Sequence, residues 1–297
     1  MPLSTEETYR GGSGEKRDEY AGVRLKTVPT VNKKGLAAVT SSFFAALASS
    51  FGKVDLVHIH AEGPAFMCWI PRLFGKRVAV TVHGLDWQRE KWKGGGFASK
   101  FIRMGEKMAA FFADEIIVLS RNVQQYFADT YGRRTVMIPN GVAKPEIREA
   151  REITGRYGLH KDEYILFLGR LVPEKGVHYL IEAFRKVKTD KKLVIAGSAS
   201  DTDDYADRLK ALAAEDERIL FTGFVQGQLL QELYSNAFVF VQPSDLEGMP
   251  LTLLEAMSYG NCCVVSDIAE CADVVEDKAC VFPKGDVEAL TQCLRSL

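Results

Sequence analysis

The feature that most constrains this chain is a rhythm. Short apolar runs of strand length alternate with stretches of helical length, and after one interruption the alternation begins again. In the first half the predicted strands are 23–28, 56–60, 78–83, 115–120 and 136–138, with helices near 35–51, 65–74, 97–113 and 122–131. In the second half the strands are 165–168, 193–196, 220–221, 238–241 and 262–266. The helices there are 176–187, 205–214, 229–236, 250–259 and a last one from 287. Strands separated by helices of this length build parallel sheets from βαβ units. The interruption, 141–164, carries Pro145, glycines and dense charge, and reads as a linker. A chain of 297 residues is long for a single core. The expectation is therefore an α/β protein of two Rossmann-like lobes with parallel sheets and an inter-lobe cleft. An N-terminal lobe would span 1–148 and a C-terminal lobe 149–297. Residues 1–20 are polar and glycine-bearing, and read as a mobile loop.

Composition excludes several classes. A formal net charge of −1 supplies no overall attraction to nucleic acid. No apolar run approaches the ~20 residues of a membrane span, and the N-terminus lacks a signal-like segment. Five of the six cysteines (Cys262, Cys263, Cys271, Cys280, Cys293; the other is Cys68) crowd the C-terminus inside patterns of buried strands and helices. None forms a CxxC pair, so reduced core thiols in a cytoplasmic protein are expected, with no disulfide or zinc framework.

In open α/β sheets, ligands sit beyond the carboxyl ends of strands, and that is where this chain keeps its polar clusters. The strand 238–241 runs into Gln242-Pro243-Ser244-Asp245-Leu246-Glu247-Gly248-Met249-Pro250. Pro250 suits the first position of a helix, and Gly248 suits an unusual backbone angle and close approach by a ligand. The free N–H groups of such a helix start favour a diphosphate. Glu247 before the helix and Glu255 within it can accept hydrogen bonds from two sets of sugar hydroxyls. A second cluster, Gly169-Arg170-Leu171-Val172-Pro173-Glu174-Lys175-Gly176, sets two cations at another strand end, where they suit a diphosphate leaving group.

These residues resemble glycosyltransferase family 4, of the GT-B fold. Its Glu-x7-Glu signature matches Glu247…Glu255, its Gly-Arg-Leu…Lys-Gly motif matches Gly169–Gly176, and its Pro-Asn-Gly-Val matches Pro139–Val142. The strand end Val80-Thr81-Val82-His83-Gly84 is also similar. The resemblance implies that Arg170 and Lys175 grip the donor diphosphate and that Glu255 binds the ribose. It implies that Glu247, with the backbone of Gly248, Met249, Pro250 and Leu251, holds the donor sugar, and that His83 lines the acceptor side near the reacting carbon. Glu247 and His83 are thus the expected catalytic residues. The activity implied is transfer of a hexose from a UDP- or GDP-sugar to a glycan or lipid-linked acceptor, with retention and without metal or cofactor. Polysaccharide or cell-envelope biosynthesis is the expected setting. Arg, Lys and helix N–H groups can stabilise a departing diphosphate in place of a divalent ion.

Compared with that family, an opening strand, glycine-rich loop and helix are expected before 23–28, and further helices after 297. The chain therefore reads as incomplete at both ends and is expected to bind donor weakly. Competing readings are a nucleotide-sugar 2-epimerase of similar fold and a non-catalytic nucleotide-binding protein. The stretch 88–107 is basic and aromatic, with an apolar stripe Phe97, Phe101, Met104, Met108. It would either pack on the lobe's core or touch an anionic membrane surface at the inner face of the cell membrane. His58 and His60 share one strand face and read as a hydrogen-bonded strand end rather than metal ligands. Asp201-Thr202-Asp203 mimics a metal-dependent Asp-x-Asp, and reads instead as solvated acids at a helix start.

Overall fold

The computed structural model describes residues 6–10, 18–31, 33, 36–89, 96–199 and 203–297. The chain divides into two units, Met1–Pro139 and Asn140–Leu297.

The first unit opens with β1 (Glu6–Arg10), β2 (Glu19–Tyr20) and β3 (Val23–Val28), a small sheet in the order β1-β3-β2. β1 runs parallel to β3, and β2 pairs antiparallel with it. Glu6–Arg10 and Glu19–Tyr20 are thus paired strand within the stretch expected to be a loop. Residues 1–5 and 11–17 lie outside the described residues. The turn between β2 and β3 is Ala21-Gly22, both at positive φ, as a two-residue hairpin of this kind requires.

The rest of the unit is α1 (Leu36–Phe51), β4 (Leu56–His60), α2 (Glu62–Ala65), α3 (Trp69–Leu73), β5 (Arg77–Val82) and α4 (Asp86–Arg89). It continues with α5 (Phe97–Phe112), β6 (Glu115–Val118), α6 (Arg121–Tyr131) and β7 (Val136–Met137). β4-β5-β6-β7 form a parallel sheet in chain order. Val78, Val80 and Val82 of β5 meet Ile116 and Val118 of β6 and Ala109 and Phe127 of the helices, all buried. The buried side of α5 is Gly105, Glu106, Ala109 and Ala110, whereas Met104, which the expected apolar stripe included, is exposed. Phe101 rests against Phe66 and Met108 against the core. Lys91, Trp92 and Lys93 of the basic stretch lie outside the described residues, as do Asp201 and Thr202.

The second unit is α7 (Glu152–Tyr157), β8 (Tyr164–Leu168), α8 (Val177–Arg185), β9 (Lys192–Ala196), α9 (Asp203–Ala213), β10 (Ile219–Gly223) and α10 (Gly227–Asn236). β11 (Val239–Gln242), α11 (Leu251–Ser258), β12 (Cys263–Ser266), α12 (Ala269–Val275), β13 (Cys280–Phe282) and α13 (Val287–Arg295) complete it. The six strands are all parallel, in the order β10-β9-β8-β11-β12-β13. This is the doubly wound order, whose winding direction reverses between β8 and β11. Alternate residues of each strand feed two cores. Ile165, Phe167, Leu193, Ile195, Val239 and Val241 face α8, α9 and α13. Tyr164, Leu166, Val194, Phe240 and Val265 face α7, α10, α11 and α12. Burial on both sides explains why these strands read as unbroken apolar runs.

Two expectations fail here. The segment 141–164 contains a helix, α7, which begins without a capping side chain of its own. Glu232 of α10 supplies the cap instead: its Oε2 accepts from the backbone N–H groups of Arg151, Glu152 and Ile153 at 3.0, 2.7 and 3.1 Å. The cap comes from some eighty residues along the chain, beyond the reach of any local pattern. The cysteines are the second failure. Cys280 and Cys293 form a disulfide joining β13 to α13, and Cys262 is exposed rather than buried. Cys68, Cys263 and Cys271 are buried free thiols, as expected. Burial pushes Cys68 and Cys263 up to about 12, which makes them inert.

Burial acts to raise the Glu232 carboxyl, but the hydrogen bonds from Gln228 and the three N–H groups outweigh it and hold the group below its ordinary value. Its contribution to stability is therefore present above the unfolded value of about 4.3 and is lost as pH falls through the lower folded value. Glu232→Ala is expected to lower unfolding free energy by about 1–3 kcal/mol at neutral pH, since three N–H groups lose their acceptor. Urea denaturation at pH 7 and pH 3 checks it: the gap between variant and parent should shrink at the lower pH.

Candidate active site

The loops after β8 and β11 leave the sheet side by side at the point where its winding reverses. Gly176, at φ +66°, lets them meet: a Cβ there would stand 1.9 Å from the carbonyl oxygen of Pro243. Gly176 ends a 3-10 turn, Pro173–Lys175, and begins α8. The loops are tied by the Asp245 N–H donating to the Glu174 carbonyl at 2.8 Å and by the Tyr179 hydroxyl donating to Asp245 at 3.2 Å. Asp245 is raised above the ordinary aspartate value, first by burial, with Tyr179, Lys284 and His178 opposing.

Glu247 is the centre of this loop pair. Its side chain is 5% exposed, and Lys175 Nζ lies 2.6 and 2.8 Å from its two oxygens. Gln242 Nε2 and Ser244 Oγ each donate to Glu247 Oε1 at 2.7 Å. Thr252 donates to Gln242 Oε1 at 3.1 Å, so the first turn of α11 holds the network from behind. A carboxylate this buried is tolerable only with a cation and a full set of donors. Two residues expected to hold different parts of a donor, Lys175 and Glu247, are thus partners of one another.

The remaining predicted residues fall around this pair. Arg170 is exposed just past the end of β8. Glu255, half-buried on α11, accepts from the Tyr234 hydroxyl at 2.9 Å. Burial and the adjacent Glu255 charge raise Tyr234, which keeps it a neutral donor. Leu251 opens α11 and is exposed. Pro250 sits one residue before the helix, at the capping position, instead of at its first residue. Gly248 is buried and lacks a positive φ, so the unusual backbone angle expected there is not present. Met249 is held by Asn140, whose N–H donates to Met249 Sδ at 3.1 Å and whose side-chain amide donates to the Met249 carbonyl at 3.3 Å.

Gln242, Ser244, Tyr234 and Asn140 were not anticipated as site residues. Gln242 and Ser244 had a readable signal, since polar side chains at the end of an otherwise apolar strand need a partner. Tyr234 had none, because its spacing on α10 is that of a core aromatic.

His83 belongs to the first unit, just past the end of β5. His60 Nδ1 lies 3.1 Å from His83 Nε2, and His58 Nε2 lies 2.7 Å from Thr81 Oγ1. The expected hydrogen-bonded strand end is therefore present. His58 is lowered by burial first, then by His60 and His83. Among the described residues no group of three or more His, Cys, Asp or Glu is arranged to hold a metal ion.

The same unit holds an acid pair that the sequence concealed. Glu62 and Glu106 are both fully buried. Glu106 accepts from Trp87 Nε1 at 3.1 Å and from the hydroxyls of Tyr126 and Tyr131 at 2.7 and 2.5 Å. Glu62 Oε2 accepts from the Asp86 N–H at 2.7 Å. Its Oε1 has no donor facing it, so as a carboxylate it would be stranded, whereas protonated it donates to Glu106. Burial, then the hydrogen bond and charge of Glu106, push Glu62 up to about 10, so it stays protonated at neutral pH.

A raised folded value means this group's contribution is complete below the unfolded value of about 4.3 and declines as pH rises towards about 10. Glu62→Gln preserves the donor and removes the decline. The parent's unfolding midpoint should fall further than the variant's between pH 5.5 and pH 8.5, as measured by thermal denaturation. Glu106→Gln, which leaves Tyr126, Tyr131 and Trp87 with a weaker acceptor, should be destabilised at both.

Comparison with known proteins follows the same division of the chain. The family described as Glycosyltransferase Family 4 matches residues 8–144, and the family described as Glycosyl transferases group 1 matches 162–297. An uncharacterized glycosyltransferase of Methanocaldococcus jannaschii is 31% identical over 257 residues, covering 78% of this chain and 63% of that protein. The chain thus spans somewhat under two thirds of that relative's length. Among solved structures, sucrose-phosphate synthase from Thermosynechococcus elongatus superposes with a TM-score of 0.83 at 21% identity, covering 98% of this chain and 78% of that one. HepE of Anabaena in complex with UDP-glucose gives 0.77 at 18% identity, covering 93% and 76%.

Proposed function

This chain belongs to glycosyltransferase family 4, and we propose that it transfers a hexose from a UDP- or GDP-sugar held by its second unit to a glycan or lipid-linked acceptor. The observation that carries the reading is the Lys175–Glu247 pair at the reversal point of the sheet, on loops that follow neighbouring parallel strands. Lys175 already neutralises one buried anion there, so a diphosphate arriving at the same loops meets a cation within reach. Arg170 adds a planar fork of donors from the exposed end of β8. The N–H groups at the start of α11 add a helix dipole.

In this reading Glu247 accepts from sugar hydroxyls while Gln242 and Ser244 keep it in place. Glu255, fixed by Tyr234, accepts from the ribose hydroxyls. His83, in the first unit, is the residue that the family resemblance assigns to the acceptor side. The cations and helix N–H groups stabilise the negative charge that develops on the departing diphosphate, which is chemistry that requires no metal ion. Because HepE, a protein of the same fold, is described in complex with UDP-glucose, a UDP-sugar is the first donor to try.

Titration calorimetry with UDP and with GDP tests the assignment. A charge-assisted hydrogen bond contributes about 1.5–3 kcal/mol, so Arg170→Ala and Glu255→Ala should each weaken the better nucleotide by roughly ten- to a hundredfold. Unchanged affinity in both variants would remove the donor site from these loops.

A further inference from the structure

The proposed site uses His83 but leaves its neighbour on the next strand without a role. β4 and β5 are parallel neighbours, with His60 in register with Thr81, and His83 lies two residues beyond Thr81. His58 and His60 lie on the same face of β4. The His58 and His60 rings are 4.3 Å apart, and the His60 and His83 rings lie edge to edge, with centroids 5.3 Å apart and planes 23° apart. Thr81 engages His58 through Nε2, and His60 reaches His83 through Nδ1.

A hydrogen bond between two imidazole nitrogens admits only one arrangement. One nitrogen carries the hydrogen and the other offers its lone pair. Two hydrogens facing across 3.1 Å would oppose two donors, and none would oppose two lone pairs. The hydrogen on His60 Nδ1 therefore bears on whether His83 keeps its own on Nε2 or on Nδ1, and the in-plane contact limits how the His83 ring can turn.

We infer that His60 is a positioning residue for His83, setting its ring orientation and its tautomer. This rests on the reading of His83 as a residue that lines the transfer site. A ring that must present a defined nitrogen to a reacting hydroxyl or phosphate oxygen loses most of its use when it populates two tautomers or turns freely. His60 restricts both freedoms without touching substrate.

The experiment uses the full chain, 15N-labelled; it holds five imidazoles, few enough to assign individually. Its two readouts are the ring-nitrogen spectrum of His83 and nucleotide release from UDP-glucose and GDP-mannose. His60→Leu should shift the balance of His83 tautomers. It should also lower release at least tenfold, with half-saturating donor within about threefold of the parent. His60→Asn, whose amide stands close to the Nδ1 position and can donate or accept, should keep the parental balance and recover most of the rate. An unchanged His83 spectrum in His60→Leu would overturn the inference. So would equal losses in both variants that follow a lowered unfolding midpoint, since His60 would then be merely structural. His83→Ala separates the two layers: parental release in that variant, with the spectral coupling intact in the parent, would sink the role of His83 itself.

Discussion

Glu247 is an anion with almost no access to water, and the second unit is arranged around that fact. A carboxylate so placed needs a cation, and the nearest chain able to bring one is the loop after the neighbouring strand β8. Lys175 can arrive only if that loop passes close to Pro243, and it can pass only because position 176 has no Cβ. The strand order that puts β8 beside β11 also makes this the place where the two loops part to opposite faces of the sheet. Ion pair, glycine and topology are one constraint seen at three levels, and removing any of them opens the site.

Three buried glutamates show three ways of satisfying the same requirement. Glu247 is met by an ammonium group and two neutral donors. Glu232 is met by the N–H groups that open α7, so its charge is useful in place and its proton is held off. Glu62 has another acid for a neighbour and keeps its proton. The solutions differ in what they leave available. An ammonium group can be shared with an incoming anion, whereas a helix start already capped and a proton already shared cannot. Only the first of the three is suited to a ligand site; the others hold loops still. Glu62 and Glu106 secure Asp86 and Trp87, which follow His83 after a short turn.

The parallel strands were legible because strands buried on both faces leave unbroken apolar runs, and β8, β9, β11 and β12 are such strands. β1 was not legible, because Glu-Glu-Thr-Tyr-Arg carries no apolar run and its strand form comes from pairing with β3. α7 was hidden by the same non-locality, its cap lying on α10. Of the two reasons expected for Gly248, an unusual φ and close approach by a ligand, the first fails, because a glycine before a helix can be there for either and the sequence does not distinguish them. The acid pair went unseen because each glutamate, read alone, looks like a solvated charge. Only the fold brings Glu62 and Glu106 together.

The proposed donor residues of the second unit and the histidines of the first differ in legibility for a chemical reason. A diphosphate and a ribose demand a small set of groups, cations, helix N–H groups and a carboxylate, and these come from two short loops, so their spacing survives in the linear sequence. The histidines form a chain of imidazoles along neighbouring strands. There the pairing is set by sheet register: His60 meets His83 because β4 and β5 are parallel and aligned at Thr81. Register is a property of two strands together, and twenty-three residues separate the two histidines along the chain. Residues that act on a ligand through a loop can be read from their spacing, whereas residues that act through one another across a sheet become visible only when the strands are paired.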